Sequence, residues 1–451
     1  APGSIAFSLR REPTGSLRSR GETPRSPRAA VTRARIPYAP GGYACRSGVP
    51  MSFTARFPCL PALVAVALWT PPAEAAEPVS SATSLAEFLG GGTLDLRLRG
   101  YFIDRTFQET FRAPEVENEA IAVGGGLAYR TAAWHGARLG LTFYTSQKIW
   151  APPDKGGTGL LQDGKTYSVL GETFLEWERG GTKVRLFRQL LDTPVLGSRD
   201  IRVVPYTWQA YTVENRSVKG LAVLASWVTH VKDWTSTSFV RIGPWIGAPE
   251  VKADTGLVGL AWQSPAKAFA AQAWGYWTED VVGTAYVQAD GRVPVGKGVT
   301  LSIGGQGVFQ RETGKAVYPG VQSGSGGVRA AAGWKGSEVR LAANVSSRDG
   351  DFLNLFGLYP GFTSIMEEDN NLAGEVSWLF GLTIDLGGHG VPGLSFVLDR
   401  TKAWIRDPKP GMSPLDQKEL NLELRYRLPE PVKGLLVRLR YANVESALDQ
   451  G

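Results

Sequence analysis

The side chains best suited to chemistry in this chain are arginines spaced two residues apart. Arg97 and Arg99, Arg425 and Arg427, and Arg438 and Arg440 each make an i, i+2 pair. In an extended strand such a pair projects from one face. A guanidinium stays charged at physiological pH and grips a carboxylate through two parallel hydrogen bonds. A row of them offers many weak anion sites, so a solute is held without being trapped. Arg329 and Arg340 fall on the same face of two further segments. The same arginines could instead pair with Asp95, Glu423, Glu375 and Asp385 and only keep a wide interior wet.

Catalytic constellations do not appear. His135, His230 and His389 are far apart and lack H-E-x-x-H spacing. No G-x-S-x-G elbow is present. Gly124–Gly126 and Gly387-Gly388 lack the strand-to-helix setting of a phosphate loop and read as bends or close-packed positions. Glu367-Glu368-Asp369 has calcium-type oxygen ligands but reads as a solvated charge run. The expectation is a non-enzyme with no cofactor, no metal and no catalytic residue.

The elements that must position the arginines have a period of two. Leu94, Leu96 and Leu98 alternate with Asp95, Arg97 and Arg99; Leu420, Leu422, Leu424 and Tyr426 alternate with Asn421, Glu423, Arg425 and Arg427. Between residues 93 and 443 about seventeen such segments of roughly ten residues follow, the length of a membrane-spanning strand. Long and short connections alternate, with one brief exception at Thr278–Val281. Short turns on one rim and long loops on the other are what an outer-membrane barrel requires. Backbone amides cannot go unpaired in hydrocarbon, so a spanning sheet must close on itself. The fold class is therefore all-β, a transmembrane antiparallel β-barrel. Trp177, Trp262, Trp274, Trp334, Trp378, Tyr426 and Tyr441 are placed on the lipid-facing register or near strand ends, where amphipathic rings are favoured. Each taken alone would also suit the core of a soluble β-sandwich.

Charge and leader complete the outline. The chain has 451 residues and a net charge of +7. Nine arginines against Glu12 and Glu22 put that whole surplus in residues 1–50, so the remainder is balanced and nucleic acid is not expected as a partner. Residues 1–50 read as a disordered upstream extension that is not native. Met51, Arg56, the apolar Leu60–Trp69 and Ala73-Glu74-Ala75 give a signal peptide over 51–75. A periplasmic segment over 76–92 and a barrel over 93–451 follow. Both cysteines, Cys45 and Cys59, precede Ala76, so the exported chain has no disulfide.

The run Leu191–Gln209 reads L-D-T-P-V-L-G-S-R-D-I-R-V-V-P-Y-T-W-Q. It resembles the third external loop and following strand of the OprD family of outer-membrane porins, matching at Thr193, Pro194, Ser198, Asp200, Arg202, Pro205, Thr207 and Gln209. Gly197, Arg199, Ile201 and Trp208 depart from the family's commoner residues, and Arg199 places a cation where a polar or acidic residue is usual. Phe362-Thr363-Ser364, Ala373-Gly374-Glu375 with Trp378, Val391-Pro392-Gly393-Leu394, Glu423–Tyr426 and Gly434–Tyr441 also look like the family. The resemblance implies an eighteen-stranded barrel in the bacterial outer membrane, often packed as homotrimers among lipid and lipopolysaccharide. It also implies an inward third loop (191–205) and a basic wall that guides carboxylate-bearing solutes such as amino acids and small organic acids. With about seventeen strands counted, the last closing strand is expected beyond Gly451. The site expected from register and resemblance comprises Arg97, Arg99, Arg329, Arg340, Arg425, Arg427, Arg438 and Arg440 on the wall. Ser198, Asp200 and Arg202 are expected at the constriction. An alternative is a structural barrel sheathing a partner protein, for example an electron-transfer protein.

Overall fold

A computed structural model describes residues 43–48, 51–54, 81–107, 116–296, 298–406, 416–429 and 435–446. In chain order the strands begin with β1 (Tyr43–Gly48), β2 (Met51–Thr54), β3 (Thr93–Phe107), β4 (Val116–Arg130) and β5 (Ala137–Trp150). Next come β6 (Tyr167–Arg179), β7 (Thr182–Gln189), β8 (Thr207–Asn215), β9 (Leu221–Lys232) and the two-residue β10 (Val240–Arg241). They continue with β11 (Thr255–Gln263), β12 (Phe269–Thr278), β13 (Val282–Gly296), β14 (Val299–Glu312) and β15 (Gln322–Trp334). The last are β16 (Ser337–Ser346), β17 (Glu375–Asp385), β18 (Leu394–Ile405), β19 (Asp416–Arg427) and β20 (Leu435–Ser446). Every long strand pairs antiparallel with its sequence neighbour, β9 with β11 across the short β10. Among the described residues helices are few, as the missing 3.6-residue period requires: α1 (Leu85–Gly90), capped by Ser84 and Glu87, the single turn α2 (Ile242–Trp245) and a 3-10 turn at Leu386–His389.

Among the described residues, seventeen long strands account for the seventeen expected segments. Between β20 and β3 stand the short strands β1 and β2, which pair with both neighbours. Sequence places Tyr43–Gly48 in a disordered extension and Met51–Thr54 in the signal peptide; here both are extended and ladder-bonded. Unpaired amides along an open sheet edge accept any extended chain that reaches them. The rest of the expected extension and signal peptide, 1–42, 49–50 and 55–75, lies outside the described residues, as do 76–80 of the expected periplasmic segment and 447–451.

Burial runs opposite to that of a water-soluble protein. Leu94, Leu96 and Leu98 of β3 are exposed, while Arg99 beside them is only 6% exposed. On β19 Leu424 is exposed, while Asn421 and Glu423 are buried. Apolar side chains facing out and polar ones facing in is the arrangement that lipid outside and water inside select. Among the described residues no helix is long and apolar enough to cross a membrane. Trp177, Trp262, Trp334, Trp378 and Tyr426 are exposed on the outer face, as expected. Trp274 is not. It faces inward at 3% exposure, its Nε1 donating to Gln272 Oε1 at 2.9 Å and its ring stacked near Tyr276. Gln272, Trp274 and Tyr276 share the inward register, and Trp277 takes the lipid side.

The long connections lie on the external rim. The third loop (190–206), the fourth (233–254) and the seventh (347–374) bring Leu191, Val195, Leu196, Ile242, Val251, Phe352 and Phe356 into one apolar cluster with the inner face of β8, β9 and β11–β14. Burial of these side chains, about 1.5–3 kcal/mol each, fastens the three loops to that side of the wall.

Candidate functional site

β3 places Arg97, Arg99, Tyr101 and Arg105 on its inner face by simple alternation. Arg99 donates from Nη1 and Nη2 to the two Asp200 oxygens at 2.6 and 2.8 Å, and from Nη1 to the Arg202 carbonyl at 2.6 Å. Arg97 Nη2 lies 2.7 Å from the same carboxylate. The third loop therefore crosses to β3 and is clamped there through Asp200. Glycines make room for it: a Cβ on Gly124, which faces Arg99 across the ladder, would meet the Thr145 backbone and lie 2.9 Å from Val203 of the loop. Expected at the constriction, Ser198 is instead buried and donates from Oγ and N to Asp192 Oδ1 at 2.5 and 2.7 Å, shaping the loop. Arg202 donates from Nε to the Thr158 carbonyl of the second loop at 3.0 Å and stacks 4.7 Å from the Trp234 ring. Burial pulls its guanidinium down to about 10, with Arg105 nearby adding to the effect. Arg199, the unusual cation, lies 4.4 Å from the same ring, and its carbonyl accepts from Trp234 Nε1 at 2.8 Å. Two arginines on one indole hold the third loop to the fourth.

On β19 and β20, three of the expected arginines converge on one acid. Arg425 bonds to Glu423, Arg438 Nε donates to Glu423 Oε1 at 2.6 Å, and Arg440 Nε to Oε2 at 3.1 Å. Glu423 is nearly buried, while the arginines keep roughly a third of their side-chain surface open. Arg427, the last residue of β19, is exposed at the short-turn rim and does not join them.

Arg329 and Arg340 are brought to the inner face but apart from this strip. Each reaches across one intervening strand to an aspartate. Arg329 of β15 bonds Asp290 of β13 at 2.5 Å over Gly304 of β14, and Arg340 of β16 bonds Asp399 of β18 at 2.6 Å over Gly381 of β17. A Cβ at Gly304 would collide with the Asp290 carboxylate, and one at Gly381 would stand 2.6 Å from Asp399 Oδ1. Glycine is what lets the pair close across two ladders. Of the four acids expected as partners from sequence, Glu423 is used by the strip; Asp290 and Asp399 were missed, and Asp200, expected at the constriction, was not expected as the partner of Arg97 and Arg99. Asp290 and Asp399 could have been found by following one register row through a glycine, whereas Asp200 lies in a loop and carries no such signal.

The acidic run Glu367-Glu368-Asp369 is spent on holding the seventh loop. Glu419 of β19 accepts the backbone N–H groups of Met366, Glu367 and Glu368 at 2.9–3.2 Å. Asp369 accepts from Ser364 Oγ and Asn354 Nδ2, and Glu367 faces Arg105 at 3.6 Å. Among the described residues no group of three or more metal-binding side chains gathers.

Packed loops thus cover the wall of β8–β14, and the arginine strip lies on β3, β19 and β20. Comparison with known proteins agrees with this architecture. The sequence pattern described as outer membrane porin, OprD family, matches residues 86–451. Porin D of Pseudomonas aeruginosa is 24% identical over 419 residues, covering 83% of this chain and 90% of that protein. Among solved structures, Pseudomonas aeruginosa OccK9 (OpdG) superposes with a TM-score of 0.68 at 19% identity, over 80% of this chain and 99% of that one. Pseudomonas aeruginosa OpdK with vanillate gives 0.67 at 19% identity, over 80% and 100%. Acinetobacter baumannii OccAB3 gives 0.66 at 14% identity, over 79% and 100%.

Proposed function

The chain belongs to the OprD family of outer-membrane porins, and we propose that it passes small carboxylate-bearing solutes along the strip formed by Arg97, Arg99, Arg425, Arg438 and Arg440. One observation carries this reading. Two guanidinium groups share Asp200 and three share Glu423, so among the described residues these pairings leave the strip a surplus of three positive charges. A passing carboxylate can exchange with Glu423 or Asp200 as a bonding partner, moving from one arginine to the next. Arg329 and Arg340 are each neutralised by one aspartate and widen the wet wall rather than extend the strip.

The solved relative OpdK was crystallised with vanillate, itself a carboxylate. In the third loop Asp200 is bound by two arginines and Arg199 adds a cation, while Asp192 is turned to Ser198. Simple organic acids therefore suit this constriction better than basic amino acids. A sheath around a partner protein is disfavoured, because three packed loops already occupy one side of the interior.

Single-channel recording in a planar bilayer tests the reading. Discrete current steps should be reduced by benzoate, and Arg438→Ala with Arg440→Ala should remove most of that reduction. A folded barrel whose current is indifferent to benzoate before and after the substitutions would overturn it.

A further inference from the structure

The outer surface carries a charged row that the pore does not use. Arg188 of β7 pairs in register with Gln209 of β8, Gln209 with His230 of β9, and His230 with Arg241 of β10. The adjoining row, Gln189, Trp208 and Val231, is buried inside the barrel, so the Arg188–Arg241 row faces out. A bulge at Gln209/Ala210 keeps this alternation in step. Two residues toward the membrane middle runs an outward row of Leu186, Tyr211, Trp227, Gly256 and Trp277. Its rings group as Phe187 with Tyr211 at 6.1 Å and Trp227 with Trp277 at 6.4 Å. Phe187 has a φ of 82° and is 52% exposed, which sets its ring outside beside Tyr211.

Such rings sit at the level of lipid headgroups. The basic row stands about 7 Å beyond them on the external side, at the strand rise of 3.3–3.4 Å per residue. Arg188 has no carboxylate partner among the described residues; its guanidinium rests 4.3 Å from the Phe239 ring. Arg241 is 45% exposed and, among the described residues, its one carboxylate partner is Asp254, at 3.4 Å. Strands spaced about 4.8 Å apart put Arg188 and Arg241 on the order of 14 Å apart, a span that a disaccharide phosphorylated at both ends can bridge.

From this geometry we propose that the Arg188–Gln209–His230–Arg241 row is a docking site for the phosphate groups of an outer-leaflet glycolipid of the lipopolysaccharide type. Arg188 and Arg241 each grip a phosphate, Gln209 and His230 bond the sugar between them, and the aromatic row below receives the acyl chains.

The test is binding of diphosphoryl lipid A to the full chain in detergent, read by native mass spectrometry. Comparison probes are the same lipid stripped of phosphate, and inorganic phosphate. Arg188→Gln with Arg241→Gln should weaken diphosphoryl lipid binding about tenfold or more, since both charge-assisted grips on phosphate are lost. Gln209→Glu, which sets a repelling carboxylate in the row, should do the same and serves if the double variant folds poorly. Single-channel conductance should be unchanged in both, because the row lies outside the pore. Equal binding of wild type and folded variants would overturn the proposal, as would equal binding of the phosphate-free lipid. Inorganic phosphate that displaces the lipid at matching concentration would make this a free-anion site and equally overturn it.

Discussion

Replacing Glu423 with glutamine should make the pore more anion-selective and tighten its hold on carboxylates. Glu423 is 7% exposed and is the common acceptor for Arg425, Arg438 and Arg440. The substitution keeps the shape and removes one negative charge, so the local surplus of two positive charges becomes three. For a solute carboxylate about 7 Å away, at an effective dielectric constant of about 40–80, one further positive charge is worth about 0.6–1.2 kcal/mol. That is about a three- to eightfold lower half-blocking concentration for benzoate at low ionic strength, and less above 0.1 M salt as the charges are screened. Reversal potentials in a salt gradient should move toward chloride. The three guanidinium groups lose a shared charged acceptor, so stability should fall by about 2–4 kcal/mol, with the exposed parts of the arginines limiting the loss. Glu423→Asp, which keeps the charge, is the control. Unchanged selectivity and unchanged benzoate block in a folded, heat-modifiable Glu423→Gln barrel would refute the reasoning that this strip governs permeation.

Asp200→Asn should loosen the third loop, because Arg99 is left buried with a neutral partner; larger, noisier openings in single-channel records are expected, and steady wild-type currents would count against the clamp. Gly381→Ala should displace the Arg340–Asp399 pair and destabilise the barrel by about 1–3 kcal/mol in denaturant titration, whereas Gly305→Ala, with nothing closer than 4.0 Å, should cost little. Burial pushes the Glu368 carboxyl of the seventh loop from 4.5 up to about 8. The native protein then keeps a proton that the unfolded chain has released, so stability falls as pH rises from about 4.5 toward 8 and levels off above it. Solvent reaching the loop holds this to about 1–2 kcal/mol. Glu368→Gln should flatten the fall in hydrogen-exchange protection of the loop between pH 5 and pH 8.5, and an identical slope in both proteins would exclude Glu368 as its source.

The barrel itself was legible in the sequence. Lipid tolerates no open backbone, and each strand must therefore show lipid one face and water the other, which writes a period of two into residues such as Leu94–Arg99 and Leu420–Arg427. The same parity put Arg97, Arg99, Arg425, Arg438 and Arg440 on the inner wall from spacing alone. Parity says nothing about partners across strands. Glu423 became the shared acceptor of three arginines, and Asp290 and Asp399 the partners of Arg329 and Arg340, through inter-strand register. Trp274 shows the limit within a strand: a one-residue error in register moves a side chain from lipid to lumen. The third loop shows the limit between strands. Its sequence resembled an inward loop, but that Asp200 meets β3, that Ser198 is spent on Asp192, and that Arg199 and Arg202 share Trp234 all depend on segments distant along the chain. Sequence alone determined the strands, their faces and the sign of the wall, because those follow from local alternation against two solvents. The tertiary structure decided which acid each arginine meets and which loops pack on the wall, because both depend on contacts that exist only once the sheet has formed.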